Sequence, residues 1–165
     1  MKKSLHFICP TDCLETIIGD TFQQENYYYF SLGNSVIFHR KMLQEIQKLI
    51  MEKDITEISF VLSNNNRIVL DAFSNQDFSD IRGLNNYYAK LIEQRERVEV
   101  LWKTLNKQSL ILSYYLNQKI KELEKGLSRL AISGLKMSGK IYNEKEESFK
   151  DIYPNIICMD YSHFN

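Results

Sequence analysis

The sequence lacks a net charge and a long apolar segment. Lys and Arg together number 21, and Asp and Glu also number 21, so the formal net charge at pH 7 is zero. A chain with this balance has no overall field that would attract nucleic acid or an anionic membrane surface. No apolar run approaches the roughly 20 residues that a membrane-spanning helix needs. We therefore expect neither nucleic acid nor a membrane as a partner.

We expect neither a secretory signal nor a disulfide framework. The apolar stretch after the initial Met-Lys-Lys ends at Pro10, whereas a signal peptide needs an apolar stretch of about 7–15 residues. Only three cysteines are present, Cys9, Cys13 and Cys158, and they are unevenly spread. An odd, scattered set is typical of reduced thiols in the cytoplasm. We predict a cytoplasmic protein.

What is present is the composition of a globular domain. The 165 residues are 44% hydrophobic and 12% aromatic, with ten Tyr and nine Phe. This length is ordinary for one domain with a sizeable core, so we predict a single domain over residues 1–165. Aromatic residues of this abundance suit both a packed core and a buried interface.

The first half of the chain alternates between strand and helix patterns. Short segments rich in apolar or strand-forming residues occur at 4–9, 26–31 and 57–62, and they predict strands. Helical spacing follows residue 12, with Gly19 as the expected stop, and recurs at 38–53. This alternation is typical of a parallel sheet with crossover helices.

The second half predicts two long helices and two final strands. Apolar residues recur at helical spacing over 84–105 and 110–130. Alternation predicts a strand at 135–141, and a short edge strand is expected at 149–153. The charged run at 144–147 is interpreted as solvated surface. The predicted fold is α/β, with a mostly parallel sheet of four to five strands.

Five segments carry a resemblance to a known family. They are residues 8–9 (Ile-Cys), 19–22 (Gly-Asp-Thr-Phe), 30–36 (Phe-Ser-Leu-Gly-Asn-Ser-Val), 116–118 (Leu-Asn-Gln) and 135–142 (Leu-Lys-Met-Ser-Gly-Lys-Ile-Tyr). In this order and spacing they resemble the β-class carbonic anhydrases over most of the chain. The resemblance implies a β-carbonic-anhydrase-like fold and a homodimer or higher even oligomer.

The resemblance also implies a place for a zinc site. In that family two thiolates and one imidazole hold Zn²⁺, and the ion lowers the pKa of a bound water to about 7 so that hydroxide attacks CO₂. The family's first strand ends in Cys-x-Asp-x-Arg and its third in Gly-His-x-x-Cys-Gly. Aligned without a gap, this chain keeps Cys9 but has Ser63 at the His position and Asn66 at the second Cys position.

Three further positions depart from the family pattern. Thr11 and Cys13 stand where Asp and Arg are expected, and Arg67 replaces the glycine after the second Cys. Hydroxyl and amide side chains are poor zinc ligands. We therefore expect no metal and no other cofactor. Cys9 is then a small buried apolar residue at a strand end, rather than a retained ligand.

An alternative zinc site would pair Cys9 with Cys13, since a Cys-x₃-Cys pair can bind metal. A distant histidine would have to complete it, and the chain has only His6, His39 and His163. Strand alternation places His6 on the opposite face from Cys9.

Two interpretations remain open for the polar residues at the strand ends. Asp12, three residues before Glu15, is predicted as the N-cap of the first helix, and a catalytic acid is the alternative.

The loop at 63–66 lies where open α/β sheets bind ligands. It would line a small polar pocket together with Cys9, Thr11, Gly33, Asn34 and Arg67. Arg67 would pair there with a carboxylate or bicarbonate-like anion; the alternative is a solvated turn with a surface arginine.

Two function classes follow from the resemblance. The first is a non-catalytic carbonic-anhydrase-like module that binds a small anion or a protein partner. The second is an active zinc carbonic anhydrase that converts CO₂ and water to bicarbonate with an unconventional ligand set using Cys9. The missing His and second Cys favour the first class.

Overall fold

The chain builds five strands and five α-helices within residues 1–101 and 107–153, which are the residues that the computed structural model describes. The strands are β1 (Lys3–Ile8), β2 (Glu25–Phe30), β3 (Glu57–Ser63), β4 (Lys136–Asn143) and β5 (Ser148–Asp151). The helices are α1 (Glu15–Thr21), α2 (Arg40–Lys53), α3 (Arg67–Ala72), α4 (Leu84–Leu101) and α5 (Lys107–Arg129).

The strands form one sheet in the order β2-β1-β3-β4-β5. The first four are mutually parallel, and β5 pairs antiparallel with β4 at the edge. Parallel neighbours need a crossover, and the helices between successive strands provide it. The predicted α/β class, the mostly parallel sheet and the final edge strand are confirmed.

The two faces of the sheet are covered unequally. On one face, β1 and β3 contribute residues such as Leu5, Phe7 and Phe60 to a large core that also contains buried residues of α2, α4 and α5. The rings of Phe7 and Phe60 stack with centroids 4.6 Å apart. On the other face a smaller cluster joins Ile8 of β1 to Ile18 of α1. Because α1 is short, this second face is covered over only part of its length.

Several predicted boundaries differ from the structure. Gly19 does not end the first helix, which continues to Thr21. The sequence patterns did not predict α3, and the last long helix begins at Lys107 rather than Leu110. The predicted helix end at Leu105 lies outside the described residues, as do Cys158 and His163. Within the described part of the chain, no helix combines the length and apolar character needed to cross a membrane.

Candidate functional site

The predicted site residues lie at the carboxyl ends of three parallel strands. Cys9 follows β1, a tight turn at Leu32–Asn34 follows β2, and Ser63 ends β3. Since these strands are adjacent and parallel, their ends meet at one edge of the sheet, where α/β proteins commonly bind ligands.

Cys9 joins the first two of these strand ends. It is fully buried, and its Sγ accepts a hydrogen bond from the backbone N–H of Gly33 at 3.1 Å. The Oγ1 of Thr11 lies 3.1 Å from the same sulfur. Gly33 has φ +60°, and a Cβ there would lie 2.6 Å from the hydroxyl oxygen of Tyr87. The turn therefore requires glycine both for its backbone and for its space.

Asp12 joins the ends of β1 and β3. Its Oδ2 accepts the backbone N–H of Ser63 at 2.9 Å, and its Oδ1 accepts the side-chain amide of Asn66 at 2.8 Å. The prediction that Asp12 caps α1 is wrong, because the N-cap is Leu14 and no side chain caps that helix. Asp12 ends a short 3₁₀ turn, and the left-handed backbone of Cys13 (φ 51°) separates it from the helix start.

Ser63 and Asn66 are both buried, and each makes further hydrogen bonds. The Oδ1 of Asn66 accepts the N–H of Val69 at 3.0 Å, so Asn66 is the N-cap of α3. The Oγ of Ser63 accepts the N–H of Asn65 at 3.2 Å and donates to Oε1 of Glu144, also at 3.2 Å. These bonds occupy the polar atoms that would otherwise face a ligand.

Glu144 is exposed, as predicted for the charged run at 144–147, but its hydrogen bonds to the loop after β3 were not predicted. Its two carboxylate oxygens accept hydrogen bonds from Ser63 and from the side-chain amide of Asn65 at 3.1 Å. Glu144 directly follows β4, which is parallel to β3, so it reaches the same edge of the sheet. That parallel pairing was the only signal that could have placed it here.

The carboxyl group of Asp12 has an unusual affinity for protons. Burial raises its pKa from 3.8 to about 6, and the negative charge of Glu144 acts in the same direction. The hydrogen bonds from Ser63 and Asn66 oppose this rise but do not cancel it. Near neutral pH the group is therefore close to its titration range.

Asn34 and Tyr87 are buried near the turn after β2 and carry side-chain polar atoms without a hydrogen-bond partner among the described residues. Asn34 is fully buried. Its side-chain amide nitrogen donates to the backbone carbonyl of Val61 at 3.1 Å, and its backbone carbonyl accepts a hydrogen bond from the hydroxyl of Tyr115 at 2.7 Å. The Oδ1 of Asn34 and the hydroxyl of Tyr87 make no hydrogen bond to the described residues. Burial raises the pKa of Tyr87 well above its usual value, so the group stays neutral.

Comparison with known proteins identifies the fold. No family model matches the sequence, and no curated protein sequence is significantly similar to it. Among solved structures, a tetrameric β-carbonic anhydrase of Sordaria macrospora matches with a TM-score of 0.68 and 17% identity, over 92% of this chain and 80% of that one. Wild-type CafD of Aspergillus fumigatus, also a β-carbonic anhydrase, matches with a TM-score of 0.70 and 13% identity, over 93% and 90%. The Coccomyxa β-carbonic anhydrase, solved with acetazolamide, matches with 0.61 and 11%, over 92% and 72%.

The chain has the β-carbonic anhydrase fold. Its similarity to these enzymes lies in the arrangement of strands and helices. Because the sequence identities are only 11–17%, the chemistry of the site has to be judged from this chain's own residues.

Zinc does not fit the residues that occupy the expected ligand positions of this β-carbonic anhydrase fold. Asn66 has both side-chain polar atoms engaged, by Asp12 and Val69, and Ser63 offers only a hydroxyl that is bonded to Glu144. The sulfur of Cys9 is hydrogen-bonded to the backbone N–H of Gly33 and to the hydroxyl of Thr11. Zinc sites are built from thiolate, imidazole and carboxylate ligands, and Ser63 and Asn66 supply none of these. The carboxylate that does lie here, Asp12, is bonded to the Ser63 N–H and the Asn66 amide.

The alternative ligands do not assemble either. Cys13 is exposed, with its Sγ 3.6 Å from the carbonyl of Pro10. Both ring nitrogens of His6 are hydrogen-bonded elsewhere, and His39 caps α2. Across residues 1–101 and 107–153, no group of three or more His, Cys, Asp or Glu side chains could hold a metal ion. Arg67, the remaining predicted residue, is exposed at the first position of α3.

Proposed function

We propose that this protein is a carbonic-anhydrase-like protein without zinc-dependent CO₂ hydration, and that it acts as a cytoplasmic binding or scaffold module for a small anion or a protein partner. The fold supports the first part of this proposal, and the substituted ligand positions support the second. The alternative is an active zinc enzyme that uses Cys9 in an unconventional ligand set.

The observation that carries the proposal is the hydrogen-bonded position of Asp12. Its carboxylate binds the Ser63 N–H and the Asn66 amide, the two positions at which the resemblance places His and Cys. A zinc ion at this place would have to displace both hydrogen bonds and would gain neither a thiolate nor an imidazole in return.

Zinc content is the direct test of this proposal. Protein purified from zinc-supplemented cells should contain well under one zinc per chain by elemental analysis, and CO₂ hydration should not exceed the buffer background. A stoichiometric zinc that survives dialysis against a chelator would support the alternative enzyme instead.

A rescue experiment tests whether the loops are correctly assigned. The double substitution Ser63→His with Asn66→Cys would supply the imidazole and second thiolate, and zinc affinity should rise steeply because these ligands bind the ion far better than hydroxyl and amide. The matched control is the same double variant carrying Cys9→Ala, which should lose that gain. Equal zinc binding with and without Cys9, or none in the double variant, would show that Cys9 does not occupy a ligand position.

A further inference from the structure

A second polar cluster lies on the sheet face that α1 covers only in part. Strand alternation brings His6 of β1, Ser59 of β3 and Ser138 of β4 to this face, and the strand register makes His6 and Ser59 neighbours, as it does Ser59 and Ser138. A cavity of about 420 Å³ is lined by these three residues together with Phe22, Lys140 and others. It lies toward the amino ends of the strands, away from Cys9 and Asp12.

Ser59, His6 and Asn26 form a continuous chain of hydrogen bonds beside this cavity. The Oγ of Ser59 lies 2.5 Å from Nδ1 of His6, and the other ring nitrogen, Nε2, lies 2.7 Å from Oδ1 of Asn26. His6 is 3% exposed and Ser59 is 5% exposed. A hydroxyl bonded to an imidazole, which is bonded in turn to an orienting side chain, is the arrangement that activates a serine nucleophile.

The surrounding bonds fix the direction of each proton. The amide nitrogen of Asn26 donates to the carbonyls of Phe22 and Gln24, at 3.1 and 3.2 Å, so its Oδ1 is the atom that faces His6. Nε2 of His6 must then carry the hydrogen, since it meets an acceptor, and Nδ1 is left with a lone pair. The hydroxyl of Ser59 therefore donates to Nδ1, which leaves its own lone pairs free.

The environment keeps His6 in the form that accepts a proton. Burial lowers the pKa of His6, and the positive charge of Lys140 acts in the same direction. The hydrogen bond to Asn26 and the negative charge of Glu57 raise the pKa of His6, but burial is the largest influence and the net shift is downward. A neutral imidazole is the state that a general base requires.

We propose that this cluster is a second site that hydrolyses small carboxylic esters, with Ser59 as nucleophile, His6 as general base and Asn26 as the residue that positions His6. This proposal is independent of the proposed function, because it uses neither zinc nor any residue at the other end of the strands.

The reaction would proceed in two balanced steps. Ser59 Oγ bonds to the ester carbonyl carbon while its proton passes to Nδ1 of His6, and the alkoxide leaves with that proton as an alcohol. Water then attacks the acyl-Ser59 ester, its proton returns through His6, and the carboxylic acid leaves with Ser59 restored. Ser138 and Lys140 line the same cavity and can donate hydrogen bonds to the carbonyl oxygen as it becomes negative. Lys140 is bonded to Asp151 at 2.6 Å, but an ammonium group has three donors.

The cavity limits the substrate to a small ester. Its volume of about 420 Å³ is at the lower end for ligand pockets, and Phe22, whose ring centroid lies 6.2 Å from that of His6, supplies apolar wall. We therefore expect a short acyl chain to be accepted and a long one to be excluded.

The test is covalent labelling of the full-length protein with an alkyl fluorophosphonate, in the presence of a chelator, followed by peptide mapping by mass spectrometry. The adduct should lie on Ser59, and p-nitrophenyl acetate should be hydrolysed above background. Ser59→Ala should abolish both signals. Ser113→Ala, a buried serine of α5 that does not line the cavity, should leave both unchanged. His6→Gln should slow labelling at least about 100-fold, the usual contribution of a general base.

Asn26→Asp tests the positioning role. A carboxylate at this place would raise the pKa of His6, so the pH dependence of labelling should move to higher pH, whereas a purely structural Asn26 would change stability alone. The proposal is overturned if unmodified protein gives no adduct on Ser59, if the adduct forms at an unchanged rate in folded His6→Gln, or if ester hydrolysis persists in Ser59→Ala. The mapped adduct on the unmodified protein decides the question even if a variant does not fold.

Discussion

Ionisation of Asp12 should make the stability of this protein fall as the pH rises from about 4 to about 6. Burial raises the folded-state pKa of this carboxyl to about 6, while the value for an unperturbed Asp is 3.8. Between these two values the unfolded chain has lost the proton and the folded chain still holds it. The folded state therefore binds more protons, and the free energy of unfolding decreases with rising pH until the folded group has also ionised.

The size of the effect follows from the pKa difference. One pKa unit corresponds to about 1.4 kcal/mol, so the shift from 3.8 to about 6 limits the contribution to about 3 kcal/mol. The Asp12 side chain is partly exposed to solvent. Because solvent weakens the electrostatic cost of burying a charge, we expect a contribution of about 2 kcal/mol. This is a large share of a typical folding free energy of about 5–15 kcal/mol.

Urea unfolding followed by circular dichroism at pH values from 4 to 8 measures the effect, with Asp12→Asn as the non-titrating reference. The stability of the unmodified protein relative to this variant should decrease through the interval and become constant above about pH 7. Using the difference removes contributions from other acidic groups. A constant difference would mean that the carboxylate is solvated in the folded state. A difference that increases with pH would mean that the hydrogen bonds from Ser63 and Asn66 outweigh burial.

Four further outcomes are expected. Asn66→Ala removes the cap of α3 and a donor to Asp12, so it should lower the free energy of unfolding by about 1–3 kcal/mol in urea titration. Gly33→Ala should destabilise the protein by at least about 1 kcal/mol, because φ is +60° and the new Cβ would meet Tyr87 at 2.6 Å; an unchanged melting temperature would refute this contact. Tyr87→Phe deletes a buried hydroxyl that makes no hydrogen bond to the described residues, so stability should be unchanged or slightly higher. Light scattering at micromolar concentration should give at least twice the chain mass of 19.5 kDa, and a monomer alone would contradict the predicted self-association.

The order of strands and helices could be predicted because periodicity records burial. The strands β1 and β3 are buried along almost their whole length, so they appear in the sequence as short continuous apolar runs. The long helix α5 is amphipathic because one side packs on β3 and β4, and α4 packs in turn against α5 and α3. Helix α3 was missed because it has only six residues, and its capping Asn66 stands in a polar loop that also fits a turn.

The contacts of the candidate site could not be predicted, because they join residues far apart in the chain. Asp12 and Ser63 are separated by 51 positions, and Ser63 and Glu144 by 81. The local pattern around Asp12 equally suits a helix cap, but in the structure the left-handed residue Cys13 separates Asp12 from α1, and the carboxylate bonds to the loop after β3. A pattern within a few residues cannot distinguish these two destinations.

The hydrogen bonds at the strand ends explain how the fold keeps its loops in place with these substituted residues. A metal ion fixes loops by drawing ligands from each of them to one point, and its binding energy then contributes to folding. Here the Cys9 sulfur joins the turn after β1 to that after β2, Asp12 joins the turn after β1 to the loop after β3, and Glu144 joins the loop after β3 to the end of β4. Hydrogen bonds to charged groups contribute about 1.5–3 kcal/mol each, and the cost of burying the Asp12 carboxylate reduces that gain. Such a network joins the same strand ends through side chains alone, which is the connection that shared metal ligands provide in a metal site.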